Sequence, residues 1–119
     1  MKNEPKQSLL DAYNGKAVTT SMTFAEVFGI AHDEVLSKIN GVEYSESFIE
    51  ENFVPVSLNG DDGVVNGFYI TYDGFSVFAG EFYGRIDMSM VEKYLVEFGN
   101  LTKYLRMLRS IGQHNYMIH

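Results

Sequence analysis

The sequence predicts an α+β, winged-helix-like domain with a helix-turn-helix, one β-hairpin and a long C-terminal helix. Three observations carry this. Ala25, Gly29 and Val35 have the spacing of two short helices that cross at a tight turn. The small residue lets the helices approach, glycine supplies the turn, and valine packs the second helix on the first. Val54, Val56 and Leu58 alternate, Asn59-Gly60-Asp61-Asp62-Gly63 is a turn cluster, and Val65 to Tyr72 is strand-like again, which together make a hairpin pattern. Finally, Val91, Tyr94, Leu95, Phe98, Leu101, Leu105, Leu108 and Ile111 keep helical spacing.

The elements follow in order. Residues 1–16 are polar apart from Leu9-Leu10 and are expected to form a flexible N-terminal arm, with a helical turn from Ser8 at most. Residues 17–101 form the helix-turn-helix and wing domain, and residues 102–119 a basic helical extension and tail. Within the domain, Ala17 to Thr20 is β-branched and strand-like. Ser21 caps the first helix, which holds Met22, Phe24, Ala25, Val27 and Phe28. The second helix runs from Ala31 to Asn40, with Val35, Leu36 and Ile39 on its buried face. Ser45 or Ser47 caps a third, short helix, the latter through the capping-box pair Ser47 and Glu50. Pro55 cannot donate to a sheet ladder, so its strand is expected at an edge. Asp73 caps a fourth helix that Gly84 ends, and Asp87 caps the last, with Gly99 as its weak point. The expected core is Phe24, Phe28, Val35, Ile39, Phe53, Phe68, Ile70, Phe75, Phe78, Phe82, Tyr94 and Phe98.

Composition narrows the function. One domain of 119 residues with 45% apolar and 14% aromatic content is long enough to build a hydrophobic core. No apolar run approaches the ~20 residues that span a bilayer, so no membrane partner is expected. Residues 1–15 lack the apolar run of a secretory signal, and the expected location is the host bacterial cytoplasm. Without cysteine there is no disulfide, thiol nucleophile or cysteine-bound zinc. No catalytic motif is present, no cofactor is expected, and His114 and His119 lack a third ligand for a metal.

The net charge of −7 is unevenly placed. Residues 26–62 hold Glu26, Asp33, Glu34, Glu43, Glu46, Glu50, Glu51, Asp61 and Asp62 against Lys38 alone. Residues 102–119 hold Lys103, Arg106 and Arg109 and no acid. The first segment repels nucleic acid and attracts basic surfaces, whereas the second suits phosphate or a helix C-terminus.

Thr71-Tyr72-Asp73-Gly74-Phe75, then Phe82-Tyr83-Gly84, then the pair Tyr94 and Phe98 resemble the signature of the Rha family of phage regulatory proteins. Upstream, Val18-Thr19-Thr20-Ser21, Ala25-Glu26, Phe28-Gly29, His32, Val35 and Ile39 resemble its opening helix-turn-helix, and Ser47-Phe48 and Asn52-Phe53 its middle helix. The departures concern charge. Where the family usually carries basic residues, this chain has Ile30-Ala31, Tyr72, Ile86 and Val91, and Arg85 alone remains basic.

The resemblance implies a non-catalytic regulator that docks its second helix in duplex DNA as a homodimer. The nucleic-acid contacts would then be His32, Ser37, Lys38 and Arg85, with Lys103, Arg106 and Arg109 on the C-terminal helix. The dimer seam would be the apolar stripe of that helix. The alternative is an acidic effector on the same scaffold. It would capture and inhibit a basic host or defence protein through Asp33, Glu34, Glu43, Glu46, Glu50, Glu51, Asp61 and Asp62.

Overall fold

The computed structural model describes residues 8–118, with side chains as far as residue 112. The domain is α+β, with five α-helices and a four-stranded antiparallel sheet in the order β1-β2-β4-β3. The strands are β1 (Asp11–Tyr13), β2 (Lys16–Thr20), β3 (Phe53–Gly60) and β4 (Gly63–Thr71). The helices are α1 (Ser21–Phe28), α2 (His32–Gly41), α3 (Glu46–Asn52), α4 (Tyr72–Phe78) and α5 (Met88–Ile118), with a 3-10 turn at Ala79–Phe82.

The largest departure from the sequence reading lies at the N-terminus. From Ser8 onward the expected arm is packed: Leu10 is buried, and Asp11–Tyr13 pairs with Lys16–Val18 as a second hairpin. Its turn is Asn14-Gly15, with φ of 52° and 76°. Two consecutive left-handed residues are what a two-residue hairpin turn of matching twist requires, and Asn-Gly is the dipeptide that best tolerates them. The expected helical turn from Ser8 is absent.

The other adjustments concern caps. Thr20, not Ser21, caps α1 by accepting from Thr23 N–H at 3.0 Å. Ser45, not Ser47, caps α3 by accepting from Phe48 N–H. Thr71, not Asp73, caps α4 by accepting from Gly74 N–H. In the α1 and α4 cases the strand ends one residue before the helix begins, so the capping position falls on its last threonine. The fourth helix gives way to the 3-10 turn around Gly80, a weak helix former. α5 begins at Met88 as expected and runs unbroken through Gly99. β3 is an edge strand, as Pro55 demands.

The core is an aromatic cluster. Phe75 lies 4.4 Å from Tyr94 between ring centroids, 5.6 Å from Phe98 and 5.9 Å from Phe24. Phe24 also meets Phe28, Phe78 and Phe82. α1, α4 and the first half of α5 thereby share one interior. Of the residues expected there, only Phe68 is not fully buried, because it sits where β4 meets the groove beside α2. The single polar atom of this cluster is satisfied: Tyr94 Oη is 2.8 Å from Thr19 Oγ1, whose own hydroxyl donates to Leu9 O at 2.9 Å. Burial pushes the Tyr94 phenol up to about 12.

Candidate nucleic-acid interface

α2 is built on α1 through a close crossing. Gly29 takes φ 67°, Ile30 N–H returns to Ala25 O at 2.9 Å, and Ala25 and Val35 are buried between the helices. This leaves Asp33, Glu34 and Ser37 exposed, and Lys38 half-exposed, on the outer side of α2. Carboxylates in the first turn suit its positive end. His32 is turned inward. Its Nε2 lies 2.9 Å from Ser21 Oγ, which also accepts from Phe68 N–H at 3.0 Å. One face of His32 thus ties α1, α2 and β4 together.

Arg85 follows Gly84, whose φ of 89° reverses the chain after the 3-10 turn. Its guanidinium lies over the Phe82 ring, 5.5 Å from the centroid, and Nη1 donates to Glu34 Oε2 at 2.7 Å. The hydrogen bond from Arg85 holds the Glu34 carboxyl below its usual range and Arg85 above its own. The fold therefore brings Arg85 to α2, where Glu34, Ser37 and Lys38 line one shallow hollow, but it arrives neutralised. Both partners are about half exposed, so the pair contributes little to stability.

Glu43, Glu46, Glu50 and Glu51 are exposed between α2 and the end of α3, and Asp61 and Asp62 form the tip of the β3–β4 hairpin. None of the six makes an ion pair among the described residues. Nearby, Tyr44 Oη donates to Glu81 Oε2 at 2.8 Å; burial and then this bond push the Tyr44 phenol far above its ordinary range.

The three C-terminal cations do not act as one stripe. Lys103 is exposed on the flank of α5, while Arg106 and Arg109 border a cavity of about 370 Å³ against the β1–β2 hairpin, with Lys16 as the third cation. Lys16 escaped the sequence reading because it belonged to the supposed arm. The signal that finds it is Asn14-Gly15 between Asp11-Ala12-Tyr13 and Lys16 to Thr20, a hairpin pattern. On another side of α5, Tyr104, Met107, Leu108 and Ile111 are 54, 51, 46 and 51% exposed. The side chains of His114 and His119 lie outside the described residues.

Residues 19–103 match the family model described as phage regulatory protein Rha. The chain belongs to the Rha family of phage regulatory proteins. Comparison with curated proteins and with solved structures gives no match.

The Rha signature residues are mostly structural. Phe75, Phe82, Tyr94 and Phe98 are wholly buried. Thr71 caps α4 and donates to Asn52 Oδ1, while Asn52 Nδ2 donates to Phe48 O, which locks α3 to α4. Gly74 sits so near Asn52 that a Cβ would lie 2.8 Å from the Asn52 carbonyl oxygen. Ile30, Ile86 and Val91 replace usual basic residues of the family with buried side chains, so their positions offer no surface charge. Lys16, Arg106 and Arg109 all fall outside the matched segment. No helix among the described residues is long and apolar enough to cross a membrane.

Proposed function

We propose that this Rha-family regulator acts on DNA, as a winged-helix-type transcription regulator of phage or prophage origin. The observation that supports this best is the α1–α2 crossing at Gly29. It buries Ala25, Val35 and Ile39 and leaves Asp33, Glu34 and Ser37 on the outer side of α2; in this reading the β3–β4 hairpin serves as the wing. Asp33 and Glu34 oppose close approach to phosphate. In a random duplex at low salt, Asp33→Asn combined with Glu34→Gln strengthens binding several-fold if α2 faces the groove, as measured by fluorescence anisotropy. A variant with unchanged DNA affinity that no longer captures a basic test protein, such as a histone, replaces this reading with the acidic-effector one. Glu43, Glu46, Glu50, Glu51, Asp61 and Asp62, which make no ion pair among the described residues, favour that second reading.

The regulator acts as a homodimer through α5. Leu101, Tyr104, Leu108 and Ile111 recur at steps of three, four and three residues, the spacing of a helix–helix seam, and Leu105 and Met107 widen it. No charged side chain lies among them, so the stripe meets its own copy without like-charge repulsion. Leu108→Asp is expected to halve the mass seen by sedimentation at tens of micromolar. Leu108 is chosen because its exposure leaves the fold of one copy intact. A monomeric wild type refutes the seam.

A further inference from the structure

We propose that the cavity between the β1–β2 hairpin and α5 is a phosphate-binding site, with Lys16, Arg106 and Arg109 as its cationic walls.

Three of the nine Lys and Arg residues of a chain with net charge −7 converge on this one cavity. They come from opposite ends of the sequence, so the convergence is a product of folding. None of the three makes an ion pair among the described residues, in contrast to Arg85, which is neutralised by Glu34. Such a cluster of like charges is unfavourable by itself and is relieved by an anion.

The two walls are held rigidly. Lys16 is the first residue of β2, directly after the Asn14-Gly15 turn, and β2 is fixed to α5 by the Thr19–Tyr94 hydrogen bond. Arg106 and Arg109 are three residues apart on α5 and therefore lie on neighbouring turns of one face. Two turns before Arg106, Phe98 of α5 packs against Tyr72 with ring centroids 5.7 Å apart. The backbone positions that carry the cations are thus set by the fold, and the exposed side chains reach the cavity from them.

The chemistry selects phosphate. Two guanidinium forks and an ammonium match the oxygens of a phosphate ester. Asp73 on the wall removes one positive charge, and the remaining excess of two suits a phosphomonoester dianion or two successive phosphodiesters. The neutral Thr71 and Asn52 side chains behind it are already bonded to each other. The same phosphate group has two sources, the backbone of a nucleic acid and a free nucleotide. The site does not rest on the α2 reading, since its residues lie on other elements.

The test uses the full chain with two probes, a random DNA duplex and AMP, and two variants. One variant is Lys16→Ala, Arg106→Ala and Arg109→Ala together; the control, Lys93→Ala, removes an α5 cation that does not line the cavity. For duplex, three neutralised phosphates imply a log–log salt slope of about −2.7. The triple variant is expected to lose about tenfold or more in affinity at low salt and to flatten the slope. The control should stay within about twofold, and both variants should keep the wild-type melting temperature. If AMP binds and displaces the duplex, the source is a free nucleotide; if duplex alone binds, it is the backbone. Equal loss in control and triple variant, or binding of neither probe, overturns the proposal. Gain of duplex affinity in the Asp33/Glu34 variant alone would leave the α2 reading standing without this site.

Discussion

Phe75→Ala is expected to destabilise the domain by about 3–5 kcal/mol, a large part of the stability of a domain this size. Phe75 of α4 is wholly buried and touches rings from two other helices: Phe24 of α1, and Tyr94 and Phe98 of α5. Removing the ring opens a cavity that none of these can fill, because each is already packed against other aromatics. Tyr94 cannot swing inward without giving up its hydrogen bond to Thr19. Urea titration followed by circular dichroism measures the loss. A change under about 1 kcal/mol would mean that α5 does not pack as described.

Gly74→Ala is expected to cost about 1–3 kcal/mol or more, although alanine is the better helix former. The added Cβ would lie 2.8 Å from the Asn52 carbonyl oxygen, 3.1 Å from Asn52 Cβ and 3.2 Å from Ile70 Cγ2. The nearest of these is backbone, so relief requires α3 to move away from α4. That movement stretches the Thr71–Asn52 hydrogen bond, which is buried. Gly80→Ala is the matched control, since a Cβ there meets nothing within 4 Å. Thermal melts of the two variants should therefore differ in sign or in size, with Gly80→Ala near wild type. Equal melting temperatures would sink the close-approach explanation for the glycine of the Asp-Gly-Phe block.

The fold was legible where a residue's role is local or periodic. The steps among Tyr94, Phe98 and Leu101 require a helix, Pro55 requires an edge, and Gly29 after a short apolar helix requires a turn, whatever the rest of the chain does. The family signature was legible for a related reason. Its aromatics fill one interior, so each is needed by the others. The caps of α1 and α4 were misplaced by a residue or two because Ser, Thr and Asp cluster at strand–helix junctions, and only the strand pairing decides which one ends the strand.

By itself, then, the sequence determined the family, the helices, the β3–β4 hairpin and the aromatic core, and it determined that charge is segregated along the chain. Only the tertiary structure decided what those charges meet. Arg85 and Glu34 are far apart in sequence, and their pairing exists because the Gly84 turn lies beside the first turn of α2. Ser21 reads as a helix cap until β4 brings Phe68 N–H, and α2 brings His32, to its hydroxyl. Lys16 reads as part of a tail until β1 pairs with β2 and sets it opposite Arg106 and Arg109. Periodicity reports the face on which a side chain lies, but which distant face it meets depends on how sheet and helices pack.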